Sequence, residues 1–333
     1  MKFIEVCSGA GGLSSGFINA GWDAELLNEI IPLFATTLKN NHPGIKVETK
    51  DMQQLDLNAY KNIDVLMGGV PCQAYSQAGN RLGIEDPRGK LILDFNRLVC
   101  QTTPKVLMVE NVEGLLSHNG GETLKSVIEL FKNNGVYHIY YKVLNAGQYE
   151  VPQKRKRVFI VGIRDDIWRV QGEFTYPQPS SNTVLLKDVL ANVPESLGAK
   201  YPEAKKKVLD LVPQGGCWVD LPDGVKQAYM GEKGMAAGGG KRGVARRLAM
   251  NEQSLTLTTS PCQKQTERCH PLETRPLSVR EYARIQTFPD SYVFEGSMAN
   301  QYKQIGNAVP VKLAEAMARQ IKDYLAPRVS YKR

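Results

Sequence analysis

The stretch Lys2-Phe3-Ile4-Glu5-Val6-Cys7-Ser8-Gly9-Ala10-Gly11-Gly12 decides the fold. It begins as a short β-rich run, and the glycine turn leads into a helical pattern that includes Leu13 and Phe17. A strand, a glycine turn and a helix in this order open a nucleotide site in α/β domains, because unpaired amides and the positive helix end face the ligand. A dinucleotide fingerprint needs a third glycine where Ser14 stands, so the loop favours an adenosine-bearing or carboxylate-bearing ligand over NAD.

Length and composition set the outer bounds. The 333 residues are 42% apolar, enough for an α/β core and a second, smaller domain. No apolar run approaches the roughly 20 residues needed to span a bilayer, and the N-terminus enters a strand, so we expect a soluble, cytoplasmic protein. The six cysteines show no C-x-x-C spacing, so we expect reduced thiols and neither disulfides nor zinc.

Positive charge is concentrated late in the chain. The formal net charge is +8, and residues 241–284 hold nine Lys or Arg against four Glu. This concentration is typical of a phosphate-contacting surface, although a solvated charged face is the alternative. The Ser and Thr side chains of residues 254–260, together with Gln263 and Gln265, have the hydrogen-bonding groups that read base edges.

Two further strands are predicted to end in carboxylates. A strand over residues 24–28 is followed by Glu29, the position from which this type of fold presents a carboxylate to ribose hydroxyls. A strand over residues 47–50 is followed by Asp51, which either faces the adenine or starts the next loop. Without context, a solvated strand-end Glu is an equally good interpretation of Glu29.

A cysteine follows the next predicted strand. The apolar run that ends at Met67 leads into Gly68-Gly69-Val70-Pro71-Cys72-Gln73-Ala74-Tyr75-Ser76, where a proline turn exposes the thiol. The strand over residues 106–109 ends at Glu110, and parallel strand ends meet at one edge of a sheet. Cys72 and Glu110 are therefore predicted to come from neighbouring strand ends, although a buried structural thiol is a common alternative for cysteine.

The segment Gln153-Lys154-Arg155-Lys156-Arg157 is predicted to be extended. Alternation then places Arg155 and Arg157 on one face and the two lysines on the other. Two guanidinium groups on one face suit fixed recognition of a polar or anionic group.

The later part of the chain changes character. Residues 177–181 are predicted to form a linker, and the region from there to Thr274 lacks a βα rhythm. Ser278 is predicted to cap a helix that carries Glu281, at the capping-box spacing. The last helix, residues 311–325, has one apolar face and is expected to pack on the first domain.

Taken together, the chain closely resembles the cytosine carbon-5 DNA methyltransferases, in particular the short bacterial enzymes of restriction-modification systems. Six motifs carry the resemblance, occur in the family's order and span nearly the whole chain. They are residues 3–12, Pro71-Cys72-Gln73, Glu110-Asn111-Val112, residues 153–157, Arg280-Glu281-Tyr282-Ala283-Arg284 and Gly306-Asn307-Ala308-Val309-Pro310.

The resemblance implies an α/β, Rossmann-like, S-adenosylmethionine-dependent domain formed by residues 1–175 and 276–333. It implies a smaller, irregular target-recognition domain over residues 176–275, with double-stranded DNA in the cleft between the two. The expected product of the cofactor is S-adenosylhomocysteine. We expect a monomer. We also expect a cognate restriction endonuclease that acts on the same DNA site but does not bind this protein.

The resemblance also assigns roles to the catalytic residues. Cys72 is expected to add to carbon 6 of a flipped-out cytosine, as a thiolate favoured by the nearby arginines. Glu110 is expected to hydrogen-bond or protonate ring nitrogen 3, and Arg155 to hold the oxygen on carbon 2. Pro71 shapes the turn and supplies a carbonyl near the exocyclic amine. The carbon-5 proton is expected to leave to water, and the loop over residues 76–90 to close over the base.

Two larger sets follow from the same resemblance. The residues expected at the cofactor are Cys7, Ser8, Gly9, Ala10, Gly11, Gly12, Glu29, Ile30, Asp51, Met52, Gly69, Asn307 and Ala308. The residues expected at DNA are Gln73, Ser76, Arg88, Lys241, Arg242, Arg246, Arg247, Lys264 and Arg268. The chain departs from the family where Cys7 replaces a frequent aromatic residue, where Ile30 replaces a Trp of some relatives and where Val70 replaces Phe or Pro.

Other functions fit the sequence less well. A zinc cytosine deaminase needs P-C-x-x-C, and the second cysteine is missing after Cys72. Ser14 disfavours a nicotinamide oxidoreductase, and intact Cys72, Glu110 and Arg155 disfavour a catalytically silent DNA-binding relative. A tRNA cytosine-5 methyltransferase shares the catalytic residues, but the sizeable separate recognition region favours duplex DNA.

Overall fold

The computed structural model describes residues 1–71, 87–236 and 243–327, without the side chains of residues 87–89 and 233. It divides into two compact units. The first consists of Met1–Asn145, Lys156–Pro179 and Val311–Arg333, and the second of Ala146–Arg155 and Ser180–Pro310. The boundary after Pro179 lies within the predicted linker, whereas the short insertion 146–155 and residues 276–310 belong to the second unit, unlike in the predicted domains.

Nine strands run through the described residues. They are β1 (Lys2–Val6), β2 (Asp23–Asn28), β3 (Val47–Glu48), β4 (Val65–Gly68), β5 (Val106–Val112), β6 (Tyr137–Asn145), β7 (Gln153–Lys154), β8 (Lys156–Arg164) and β9 (Ser254–Leu255). Seven of them form the sheet of the first unit in the order β3-β2-β1-β4-β5-β8-β6. Strands β1 to β5 pair in parallel, and β8 pairs antiparallel with both β5 and β6. The predicted α/β fold is confirmed.

The register of the central strands brings their carboxyl ends together. Val6 of β1 pairs with Gly68 of β4, and Gly68 pairs with Val109 of β5. The Cys7 loop, the Gly69-Val70-Pro71 segment and Glu110 therefore emerge at the same edge of the sheet. A side chain at Gly68 would lie 2.6 Å from the Val6 carbonyl oxygen, so the close approach of β1 and β4 requires glycine there.

Helices cover the sheet of the first unit. They are α1 (Gly12–Asn19), α2 (Pro32–Asn41), α3 (Pro87–Thr102), α4 (Glu122–Lys132), α5 (Asp165–Gln171) and α11 (Val311–Leu325). The last helix has the predicted bounds and packs on α1, where a Cβ at Gly16 would lie 2.4 Å from that of Ala314. The Trp22 indole N–H also donates to the Ala318 carbonyl, at 3.1 Å. The expectation that this helix packs on the first domain is confirmed.

The second unit is irregular. Its helices are α6 (Leu186–Val189), α7 (Glu203–Asp210), α8 (Asp223–Ala236), α9 (Val279–Ile285) and α10 (Met298–Asn307), and its β7 and β9 form a short parallel pair. Leu209, Trp218 and Val244 belong to a separate apolar cluster. The predicted capping box is confirmed, since the Glu281 N–H donates to Ser278 Oγ at 3.3 Å and the Ser278 N–H donates to Glu281 Oε2 at 2.6 Å.

Candidate active site

An acid and a guanidinium meet on two neighbouring strands of the first unit. Arg157 Nε lies 2.9 Å from Glu110 Oε1, and the side chains are 13% and 12% exposed. Val112 pairs with Arg157 and Glu110 pairs with Phe159, so Glu110 and Arg157 are diagonal neighbours on one face of the β5–β8 pair. The sheet register thus presents a carboxyl and a fixed cation side by side, a combination suited to binding a polar ring edge.

The backbone before the predicted nucleophile is tied to the same strand. The side-chain amide of Asn111 donates to the Val70 carbonyl at 2.9 Å, and its Oδ1 accepts the Val112 N–H at 2.8 Å. A Cβ at Gly69 would lie 3.5 Å from Glu110 Oε2, so this glycine runs directly beside the carboxyl group. The segment that leads into position 72 is therefore held next to Glu110. Cys72, Gln73 and Ser76 themselves lie outside the described residues.

Arg155 does not share the surroundings of Arg157. It is 1% exposed, and its two terminal nitrogens donate to the carbonyls of Leu257 and Gly306 at 3.1 and 2.9 Å. The predicted alternation is confirmed, since Lys154 and Lys156 are exposed between the buried or half-buried residues. The guanidinium beside Glu110 belongs to Arg157. The role of Arg155 at the base stays a prediction.

The glycine loop after β1 is joined to the end of β2. Glu29 Oε2 accepts the Gly9 N–H at 2.7 Å, and Oε1 accepts the Ile31 N–H at 2.9 Å. Gly9 and Gly11 have φ values of 57° and 79°, and a Cβ at Gly9 would meet no atom within 4 Å. Burial raises the pKa of the Glu29 carboxyl, while the amide bonds oppose that rise. The predicted glycine turn and the strand-end carboxylate thus form one local site with open space above the loop.

A second acid lies beneath the loop and was missing from the predicted site. Glu5 is 2% exposed, and its Oε2 has no hydrogen-bond partner in the described part of the chain. Burial raises the pKa of this carboxyl to about 8, although hydrogen bonds from Ser14 and Ser8 lower it. A buried carboxyl with one unsatisfied oxygen beside a glycine loop fits a ligand that carries positive charge and N–H groups, as S-adenosylmethionine does.

The other predicted cofactor residues of the first unit differ in their environments. Cys7 has a left-handed backbone, with φ 53°, and burial with nearby carboxylates raises the pKa of its thiol to about 12. Asp51 Oδ1 accepts the Gln53 N–H at 2.9 Å, and Met52 is buried in the apolar core. Ile30 is 57% exposed. Ser8, Ala10 and Gly12 of the same loop are buried, and Gly12 is the first residue of α1.

Asn307 and Ala308 belong to the second unit. They lie at the end of α10, where the Gln286 side-chain amide donates to the carbonyls of Ile305 and Ala308 at 2.8 and 3.2 Å. Asn307 is exposed. Gln286 accepts a bond from the buried Gln153 amide at 2.8 Å, so the segment is part of an internal polar network.

Two of the arginines predicted to contact DNA, Arg247 and Arg268, are bonded within the second unit. Arg247 is buried and donates to the carbonyls of Val212, Leu209 and His270 and to the Thr274 hydroxyl. Arg268 is buried and donates to the carbonyls of Thr256 and Glu267. Both guanidinium groups therefore bind backbone carbonyls, and their contact with DNA stays a prediction.

The remaining predicted DNA contacts vary. Arg246 is partly buried, with Nη2 3.6 Å from Glu252 Oε2. Lys264 is exposed and donates to the Tyr229 carbonyl at 2.9 Å. Lys241, Arg242 and the side chain of Arg88 lie outside the described residues, as does most of the loop expected to close over the base.

Two properties of the described residues bear on other chemistries. No group of three or more His, Cys, Asp or Glu side chains in residues 1–71, 87–236 and 243–327 is arranged to hold a metal ion. Within the same ranges, none of the helices combines the length and apolar content needed to cross a bilayer.

Comparison with known proteins places the chain in a family. The sequence-family model of the C-5 cytosine-specific DNA methylases matches residues 1–323. The chain belongs to this family. The enzymes of this family methylate cytosine in DNA at carbon 5, so the chain is a DNA cytosine-5-methyltransferase, and the suspected resemblance is confirmed.

Curated relatives agree with the family assignment, and a solved structure agrees with the fold. The chain is 49% identical to the Type II methyltransferase M.Eco47II of Escherichia coli, over 96% of this chain and 78% of the relative. It is 47% identical to the Type II methyltransferase M.Sau96I of Staphylococcus aureus, over 97% and 76%. The structure of the Entamoeba histolytica methyltransferase EhMeth is similar in fold, with a TM-score of 0.70, 16% identity and coverage of 98% and 99%.

Proposed function

We propose that the chain transfers a methyl group from S-adenosylmethionine to carbon 5 of a flipped-out cytosine in a specific duplex DNA sequence, through a covalent Cys72 adduct. The observation that carries this proposal is the Glu110–Arg157 pair beside the Gly69-Val70-Pro71 segment that leads to Cys72. Modification of the host's own recognition sites in a Type II restriction-modification system is the proposed biological role, supported by the names of the relatives.

The cofactor is proposed to lie on the glycine loop of the first unit. Glu29 would accept the ribose hydroxyls, the Gly9 to Gly12 turn would lie against the ligand, and the buried Glu5 carboxyl would face positive charge or N–H groups. Asp51 and Ile30 would contact the adenine, and Asn307 of the second unit the methionine end. When bound, S-adenosylmethionine supplies an electrophilic methyl group.

The chemistry assigned to this chain's residues is activation of a poor nucleophile. The Cys72 thiolate forms a bond to carbon 6, and the ring electron pair is displaced toward carbon 5. Glu110 delivers a proton to ring nitrogen 3, which neutralises the charge that develops there. After carbon 5 has gained the methyl group, its proton leaves to water, the electron pair re-forms the ring double bond and the thiolate is expelled. Ring nitrogen 3 returns its proton to Glu110, which restores the starting state of the carboxyl group.

Arg157 is proposed to hold the oxygen on carbon 2, in place of Arg155. Its Nε is paired with Glu110 and its Nη1 donates to the Lys156 carbonyl at 2.7 Å. A guanidinium offers five donors, so the N–H groups that remain can bind a carbonyl oxygen beside the carboxyl. The same cation lowers the free energy of a neighbouring thiolate. Pro71, which is exposed, remains the proposed source of a carbonyl at the exocyclic amine.

Transfer of labelled methyl from S-adenosylmethionine to unmethylated duplex DNA, followed by bisulfite sequencing, tests the proposal. Wild type should label cytosine in one recurring context, and Cys72→Ser should not. Cys100→Ser is the matched control, because Cys100 is exposed on α3 away from the proposed site, and it should retain activity. Labelling of tRNA without labelling of duplex DNA would overturn the proposed substrate.

A further inference from the structure

Residues 259–265 of the second unit form a mainly polar segment, here named the polar arc. Its polar side chains, Thr259, Ser260, Gln263, Lys264 and Gln265, are exposed, whereas Pro261 is buried and Cys262 is half-buried. Amide, hydroxyl and ammonium groups are the side-chain types that bind base edges and phosphates. With Arg247 and Arg268 used internally, the arc is a stretch of the described recognition region that offers such groups on its surface.

The two ends of the polar arc are closed against each other. The hydroxyls of Thr258 and Thr266 lie 3.3 Å apart, and Thr258 Oγ1 donates to the Ser260 carbonyl at 3.0 Å. Arg268 adds bonds to the Thr256 carbonyl at 2.9 and 3.2 Å. The arc is therefore a small closed loop whose neck is fixed by side chains.

An ion pair between a buried carboxylate and a largely buried ammonium lies at the base of the arc. Glu267 is 0% exposed and pairs with Lys205 of α7, and Glu267 Oε2 accepts the Ala245 N–H at 2.6 Å. The Lys205 ammonium also donates to the Cys262 carbonyl at 2.9 Å, inside the arc. One carboxylate and one ammonium thus connect three separate chain segments: α7, the turn at Ala245 and the arc.

The base of the arc is also connected to α8. The Tyr229 hydroxyl lies 3.5 Å from Glu267 Oε1, and the Lys264 ammonium stands 4.7 Å from the centre of the Tyr229 ring. Tyr229 of α8 therefore orients the Lys264 side chain, and Lys205 of α7 holds the backbone at Cys262. Both connections converge on the same buried carboxylate.

Stability alone does not account for such a pair. A buried ion pair pays for desolvation of both charges, and apolar residues of similar volume often stabilise a fold as well or better. An apolar pair has no hydrogen-bonding groups, so it could not hold both the Ala245 N–H and the Cys262 carbonyl in place. A buried polar pair of this kind favours one specific arrangement of the chain segments at a cost in stability, as a buried polar residue does in a coiled coil.

We infer that Lys205 and Glu267 are positioning residues for DNA sequence recognition, which hold the polar arc in the geometry that discriminates the target site from near-cognate sites. The inference rests on the proposed function. It predicts that the pair affects the choice of site and leaves cofactor affinity unchanged.

Two variants separate positioning from mere support of the fold. Lys205→Met leaves the Glu267 charge buried and unpaired, whereas Lys205→Met/Glu267→Gln removes both charges and keeps an acceptor for the Ala245 N–H. We expect the melting temperature to fall in the single variant and to recover in the double variant. Lys207→Met is the matched control, because Lys207 is exposed on the same helix.

The readout is the ratio of kcat/KM for the target duplex to that for duplexes with one altered base pair. Both variants should lose discrimination by about tenfold or more, the scale of one mismatched base pair. The KM for S-adenosylmethionine should stay within about twofold of wild type. If Lys205→Met does not fold, the discrimination measured for the double variant alone tests the inference.

Recovery of discrimination together with melting temperature in the double variant would overturn the inference, because the pair would then only support the fold. Unchanged discrimination in a folded Lys205→Met variant would overturn it as well. Failure of wild type to methylate any duplex DNA is a different result, which contradicts the proposed function before any variant is made.

Discussion

Arg157 Nε lies 2.9 Å from Glu110 Oε1, across two antiparallel strands whose register makes the two residues diagonal neighbours. Both side chains are largely buried, so the cation and the carboxyl are held in fixed orientation without a ligand. Pre-oriented groups of this kind stabilise developing charge because they need no reorganisation during the reaction. The pair is therefore the centre of the proposed chemistry.

Replacement of Arg157 tests this pair. Arg157→Lys keeps a positive charge but loses the planar set of donors, so kcat should fall by about 10²-fold or more. Arg164→Lys is the matched control on the same strand, where Arg164 pairs with Asp166 at 2.7 Å, and it should leave kcat near that of wild type. Steady-state methyl transfer to the target duplex measures both, and equal kcat values for the two variants would contradict the assigned role.

Replacement of Arg155 should act on stability. Its guanidinium satisfies the carbonyls of Leu257 and Gly306 inside the second unit, so Arg155→Met leaves both acceptors without their donor. The free energy of unfolding should fall by about 2–5 kcal/mol. Urea denaturation measures this loss, and a fully stable variant that has lost only kcat would show that Arg155 acts in the reaction after all.

Asn111 should position the segment before Cys72. In Asn111→Leu the Val70 carbonyl loses its donor, so the free energy of unfolding should fall by about 1–3 kcal/mol. Because the same bond holds the backbone that leads to the nucleophile, kcat should also fall by about tenfold. Unfolding and methyl-transfer assays on the same preparation check both effects, and wild-type kcat would show that Asn111 supports the fold alone.

Glu5 should make stability depend on pH. Its pKa is about 8 in the folded chain and near 4.5 when unfolded, so the unfolded state loses its proton first as the pH rises. The stability that the neutral carboxyl contributes is complete below pH 4.5 and is lost progressively toward pH 8. The free energy of unfolding should fall by at most about 1.4 kcal/mol per pH unit from this group alone.

Glu5→Gln should remove that slope. Urea denaturation of both proteins between pH 5 and pH 8, in the absence of cofactor, gives the difference between the two profiles. Wild type should lose stability relative to Glu5→Gln as the pH rises. Parallel profiles would mean that the Glu5 carboxyl is ionised in the folded protein.

Local sequence patterns predicted much of this fold. The last helix, residues 311–325, has the bounds that its apolar face indicated, and the Ser278–Glu281 capping box has the predicted bonds. Such features depend on residues three or four positions apart, which a sequence displays directly. The alternation of burial across residues 153–157 is of the same kind.

What the sequence could not show depends on contacts between distant segments. Alternation put Arg155 and Arg157 on one face, but only the register of β5 against β8 brings Arg157 to Glu110. The charge excess of residues 241–284 did not reveal that Arg247 and Arg268 are bound to backbone carbonyls. Glu5 was missed because a single acid within an apolar strand carries no periodic signal of its own.

Covalent trapping tests the central claim most directly. Duplex DNA that carries 5-fluorocytosine at the target position should form a complex with wild type and S-adenosylmethionine that survives denaturing electrophoresis, because fluorine at carbon 5 cannot leave as a proton does and the Cys72–carbon 6 bond is not released. Cys100→Ser should form the complex, and Cys72→Ser should not. If wild type methylates ordinary target DNA but forms no covalent complex, or if Cys72→Ser forms it, the proposed mechanism is wrong.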